Sequence, residues 1–138
     1  MSSRIAVKIE TRVEELNRIA SLVEEMGEQE DWPPDLVFKV NLILEELGLN
    51  IINYGHTEGL HEIDITLTSS DEELKIEITD DGKPFDPITD APVPDVNAPM
   101  EDRGIGGLGV HLVQNMTDEM HYRRVRDRNQ VTLVIRRA

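Results

Sequence analysis

The stretch LILEELGLNIINYGH, residues 42–56, decides how the rest of the chain is read. Leu36, Val40, Ile43, Leu47 and Ile51 recur at helical spacing and form one apolar stripe that faces a core. Glu46, Asn50 and Asn53 fall at i, i+4 and i+7, which stacks one carboxylate and two carboxamides along a second face. A helix with one buried stripe and one selectively polar stripe suits a site laid on a rigid element. The plain alternative is a solvated polar face. Pro33 and Pro34 are placed as first-turn prolines, and Gly55 stops the helix after Tyr54. Gly48, inside it, costs about 1 kcal/mol relative to alanine. It either lets something approach the backbone or accommodates a packed neighbour.

Upstream, Ile5, Val7 and Ile9 alternate as a short strand over 4–10. Thr11, with Glu14 three residues on, reads as a capping box opening a helix. Val13, Leu16, Ile19, Ala20, Val23 and Met26 give that helix its apolar stripe, Gly27 ends it, and 28–31 is an acidic loop. Downstream, Ile63, Ile65 and Leu67 alternate, then Leu74, Ile76 and Ile78, with a turn over 69–72. The second of these strands runs into Asp80-Asp81-Gly82-Lys83-Pro84-Phe85. Residues 86–103 carry four prolines and no periodicity, a loop long enough to be either a functional lid or a tolerated insertion. A glycine-rich run, 104–109, then feeds a helix bearing Leu108, Leu112, Val113 and Met116. A last hairpin takes 119–126, a turn at 127–130, and Val131, Leu133 and Ile135 alternating. Strands that cluster as hairpins make a largely antiparallel sheet with helices on one face: an α+β two-layer sandwich in one domain, 1–138.

Charge narrows the function classes. Lys and Arg total 14 and Asp and Glu 28, giving a net charge of 14 − 28 = −14. Neither nucleic-acid backbones nor anionic membranes suit so acidic a chain. Arg123, Arg124, Arg126, Arg128, Arg136 and Arg137 crowd the end, either neutralising acidic neighbours across strands or receiving an acidic partner. There is no cysteine, no apolar run of membrane-spanning length and no signal-peptide core, so the expectation is a cytoplasmic protein. His56, His61, His111 and His121 lie singly, outside metal-ligand spacing.

The glycine run before a helix lets backbone N–H groups approach an anion, helped by the helix dipole. No Gly-Lys-Ser/Thr follows it, and no strand directly precedes it, so it is neither a Walker A loop nor a Rossmann fingerprint. Asp80 ends a buried strand. A carboxylate there accepts from an exocyclic amine and so reads adenine, or it is an ordinary Asp-Gly turn. Asn50 offers a neutral oxygen to a hard cation such as Mg²⁺. Glu46, one turn away, is placed to take a proton from an attacking hydroxyl.

Together and in this order, E-x-x-x-N (46–50), D-x-G-x-P-F (80–85) and G-x-G-G-L-G-V (104–110) resemble the boxes of the GHKL, or Bergerat-fold, ATP-binding superfamily. Within it, the chain is most similar to the anti-sigma-factor serine/threonine kinases of bacterial partner-switching systems. The resemblance covers nearly the whole chain. It implies that Asp80 binds the adenine amine, with Gly82, Pro84 and Phe85 shaping the pocket. Asn50 would ligate Mg²⁺, with Asn53 one turn further, and Gly104, Gly106, Gly107, Leu108, Gly109 and Val110 would cradle the phosphates of ATP. Thr132 would lie near Asp80, residues 86–103 would be the ATP lid, and Glu46 the general base. Where many relatives have an arginine facing the γ-phosphate this chain has Ile105, and Arg103, two residues earlier, could substitute.

The resemblance also implies function and partners. A neutral histidine is nucleophilic without a base, whereas a serine, threonine or water oxygen needs one, so Glu46 favours a hydroxyl kinase or an ATPase. The implied substrate is a STAS-domain anti-sigma-factor antagonist, the implied output a sigma factor or another protein, and the implied assembly a homodimer through the N-terminal strand and helix. The alternatives are a nucleotide-dependent binding switch that transfers no phosphate and a stand-alone histidine-kinase-like ATPase domain.

Overall fold

The apolar faces read above converge on one side of one sheet. The computed structural model describes residues 3–52, 61–88 and 107–137, with side chains of 107–111 outside the description. Eight elements follow in order: β1 (Ser3–Glu10), α1 (Glu14–Gln29), α2 (Pro34–Asn50), β2 (Glu62–Ser69), β3 (Glu73–Asp80), α3 (Gly107–Met116), β4 (Glu119–Val125) and β5 (Arg128–Arg136). The five strands form one antiparallel sheet in the order β1-β2-β3-β5-β4, and α2 packs between α1 and α3. The architecture is the α+β sandwich expected.

Register explains the core. Rows run across the sheet as Ile65–Ile78–Val131, Leu67–Ile76–Leu133 and Ser69–Leu74–Ile135, all buried on the helix-covered face. Val23 of α1 and Val40, Ile43 and Leu47 of α2 close on them from above. Period two in the strands and period 3.6 in the helices thus meet at one apolar layer. The next row, Ile63–Asp80–Asn129, continues the same inward parity with two polar residues, Asp80 5% and Asn129 2% exposed.

Several local expectations change. Thr11 does not cap α1. Its hydroxyl accepts the His61 N–H at 2.9 Å and its own N–H donates to His61 O at 2.9 Å, tying the end of β1 to the start of β2. Helix α1 starts at Glu14 without a side-chain cap, and Val13 is 54% exposed rather than in the stripe. Gly27 does not end α1. It is buried inside the helix, where a Cβ would sit 2.8 Å from Val37 Cγ2 and 3.4 Å from Trp32. The stop is at Asp31, whose φ of 55° lets Trp32 N–H reach Gly27 O (2.9 Å) and Asp31 N–H reach Glu28 O (3.4 Å). Those are the paired bonds of a Schellman ending. Gly48 accommodates packing: a Cβ there would meet Leu16 Cδ2 at 2.7 Å.

The last hairpin turns one step earlier than expected. Arg126 (φ 52°) and Asp127 (φ 63°) form a two-residue turn between the Val125↔Arg128 pair. Two left-handed residues in succession match the twist of the flanking strands. Asn129 therefore belongs to β5, not to the turn. Of the terminal arginines, Arg128 meets Asp64 (3.4 Å) and Arg136 meets Glu119 (2.8 Å) across strands. Arg137 instead donates to Ser70 O (2.8 Å) and Ser69 Oγ (3.3 Å). Ser69 also accepts from the Trp32 indole at 3.1 Å. Among the described residues no helix is long and apolar enough to cross a membrane.

Candidate functional site

Asp80 and Asn50 come together because β3 ends beneath α2. Leu47, Asn50 and Ile51 from α2, Ile78 and Asp80 from β3, Phe85 and Pro87 beyond it, and Asn129 and Val131 from β5 line one pocket. It is apolar with a few convergent polar groups, the usual make-up of a small-ligand site.

Asp80 is oriented from within. Its Oδ1 accepts the Gly82 N–H at 2.9 Å and an Asn129 Nδ2–H at 3.1 Å. Asn129 also donates to Lys83 O at 2.8 Å, and its Oδ1 accepts from Phe85 N–H (3.2 Å), Tyr122 O–H (2.6 Å) and Arg124 Nη1–H (3.2 Å). Arg124 Nη1 further donates to Gly82 O at 2.7 Å. Burial pushes the Tyr122 hydroxyl's pKa up, keeping it a donor.

Asn50 is 2% exposed, and among the described residues its Oδ1 has no hydrogen-bond partner. Leaving a buried acceptor unmade costs about 1–3 kcal/mol, so an orphan oxygen in a pocket wall points to a ligand or ion that completes it. Asn41 Oδ1 also has no partner among the described residues, but it lies in a separate groove between α1 and α2. Glu46, one turn before Asn50, is half-buried and outside the pocket lining. Burial, with the Glu45 charge beside it, raises its carboxyl above the ordinary glutamate range. Among the described residues no three His, Asp or Glu side chains gather to hold a metal, so an ion here would rest on the neutral Asn50 oxygen and on oxygens brought by a ligand.

The other expected residues divide between this pocket and its surroundings. Thr132 has the opposite strand parity: it pairs with Glu77 and His121 on the outer face, and the residue opposite Asp80 is Asn129. Asn129 was missed because Asp and Asn at 127–129 read as turn residues. The signal that finds it is parity, since it shares the inward positions of Val131, Leu133 and Ile135. Gly82 and Phe85 sit in the turn held to Asn129 and Arg124, with Pro84 between them. Gly107, Leu108, Gly109 and Val110 open α3, and only their backbone is described. Asn53, Arg103, Gly104, Ile105, Gly106 and residues 89–103 of the expected lid lie outside the described residues.

Residues 9–135 match the family described as the histidine kinase-like ATPase domain. The chain belongs to that family: it is a kinase-like ATPase domain, of a class that binds ATP. It is also similar to the serine/threonine-protein kinase BtrW of Bordetella bronchiseptica, 28% identical over 115 residues that cover 80% of this chain and 78% of the relative.

Proposed function

We propose that this chain is a protein serine/threonine kinase that uses Mg-ATP, with Glu46 as general base. The observation that carries the reading is the placement of Glu46 on α2 one helical turn before Asn50, whose orphan oxygen lies in the wall of the Asp80 pocket. The similarity to the serine/threonine-protein kinase BtrW supports it. In the transfer, a substrate hydroxyl oxygen bonds to the γ-phosphorus, the bond to the ADP oxygen breaks, and the hydroxyl proton passes to Glu46. Asp80 holds the adenine amine and the N-terminal turn of α3 holds phosphate. Mg²⁺, resting on Asn50, would neutralise charge on the phosphates.

The proposed substrate is a STAS-domain antagonist and the proposed output a sigma factor or similar protein, which the family resemblance supports. A homodimer through β1 and α1 could use the outer edge of β1, which is terminal in the sheet and pairs with no other strand among the described residues. A pull-down from native lysate with Mg-ATP or Mg-ADP tests these together. The expected result is a STAS protein carrying new phosphoserine or phosphothreonine only with ATP, captured by bait that elutes at dimer size. Nucleotide-selective partners without a phosphosite would favour the binding switch, the reading that Ile105 supports. Elution of the bait at monomer size would remove the dimer.

A further inference from the structure

We infer that Asn129, fixed by Tyr122 and Arg124, is a positioning residue that aims Asp80 so that one carboxylate oxygen, Oδ2, is left to read a base. This rests on the nucleotide reading of the pocket and names how its specificity is set.

A carboxamide has two N–H donors and one oxygen with two lone pairs. Both Asn129 donors are spent, on Asp80 Oδ1 (3.1 Å) and Lys83 O (2.8 Å). Its oxygen is met by three donors, Phe85 N–H at 3.2 Å, Tyr122 O–H at 2.6 Å and Arg124 Nη1–H at 3.2 Å. The opposite amide orientation would set oxygen against two acceptors and NH₂ against three donors, so the network admits only one. Asn129 lines the pocket yet has no hydrogen bond left for a ligand. Its contribution passes through Asp80. There, Oδ1 is occupied by Gly82 N–H (2.9 Å) and Asn129, and among the described residues Oδ2 receives no donor.

Tyr122 and Arg124 stand behind Asn129 on the edge strand β4, at inward positions opposite Val131 and Asn129, and neither lines the pocket. Arg124 also grips Gly82 O at 2.7 Å. Two side chains that never reach the ligand therefore hold both the amide and the turn that orient the carboxylate. A polar network in which each bond orients the next favours one arrangement, and loosening one member releases the rest.

The test uses the full chain and two nucleotides, Mg-ATP and the Mg complex of purine riboside triphosphate, which lacks the exocyclic amine. In the parent protein the dissociation constants are expected to differ about tenfold or more, the size of one hydrogen bond to a charged acceptor. Tyr122→Phe removes one hydroxyl and Arg124→Met one cation. Each is expected to shrink that ratio about threefold or more, chiefly by weakening ATP, while Arg124→Lys recovers part of it. Asn129→Asp, which swaps a donor for a second carboxylate beside Asp80, is expected to bring the ratio near one. Parallel weakening of both nucleotides with the ratio kept, or no change at all, would overturn the positioning role. A parent ratio near one would instead remove Asp80 from amine recognition, and the inference with it.

Discussion

Asp80→Asn is expected to lower ATP affinity by about two orders of magnitude or more and to leave the fold in place. Asparagine keeps the size of the side chain, and its oxygen retains the two donors that Asp80 Oδ1 now accepts, Gly82 N–H and Asn129 Nδ2–H. Those donors fix the orientation, so the new NH₂ replaces Oδ2 and points a donor at the base amine. The loss combines a charge-assisted bond, about 1.5–3 kcal/mol, with the penalty of two buried donors left facing each other, about 1–3 kcal/mol. Each 1.4 kcal/mol is tenfold in affinity. Calorimetric titration beside a thermal scan checks both halves, and unchanged affinity in a folded variant would take Asp80 out of the site.

Glu46→Gln is expected to lower phosphoryl transfer by about 10²–10⁴-fold while sparing nucleotide binding. Glu46 is outside the lining of the described pocket and glutamine keeps its size, so little change in binding is expected. Its raised pKa, caused first by burial and then by Glu45, gives the rate a pH dependence. Transfer should rise with pH through an apparent pKa above the ordinary glutamate value, as the base loses its proton. Stability runs the other way. A carboxyl whose folded pKa is raised contributes stability that is fully present below the unfolded pKa and is lost as pH rises through the folded one. Near neutral pH the fold therefore holds a charge it disfavours, and Glu46→Gln should unfold at the same or a slightly higher temperature. The side chain is half-exposed, which keeps that gain small. Single-turnover transfer, nucleotide titration and a thermal scan on the same preparation separate these effects. Undiminished transfer would remove the base assignment.

Much of the fold was legible because two periodicities suffice to state it. Ile63, Ile65 and Leu67 with Leu74, Ile76 and Ile78 fix a hairpin and its buried face, and the Leu36-to-Ile51 stripe fixes which side of α2 lies on it. What period alone does not reveal is where polar residues with more than one use are spent. Thr11 can cap a helix or bridge strands, and the edge of β2 offered the better partner. Gly27 can end a helix or let another pack against it, and Val37 and Trp32 take that room while Asp31 bears the left-handed turn. Asn129 has the chemistry of a turn residue, yet the sheet uses its amide at a core position. Reading one more step of alternation through Ile78 to Asp80, and back from Val131 to Asn129, would have joined the pair that Thr132 was expected to form.

The bond between Asp80 and Asn129 spans 49 residues of chain. Its two halves emerge from the ribosome far apart in time, and β3 must wait for β5 before its second edge is covered. Closing so long a loop is entropically costly and slows folding. A nascent chain that has completed β1, both long helices and the β2–β3 hairpin still has no frame for the pocket. Nucleotide thus has only the finished molecule to bind. At about a hundred times its dissociation constant it would add about 2.7 kcal/mol to the native state alone, so the cell's ATP would act on this chain as a late check that its last strand has docked.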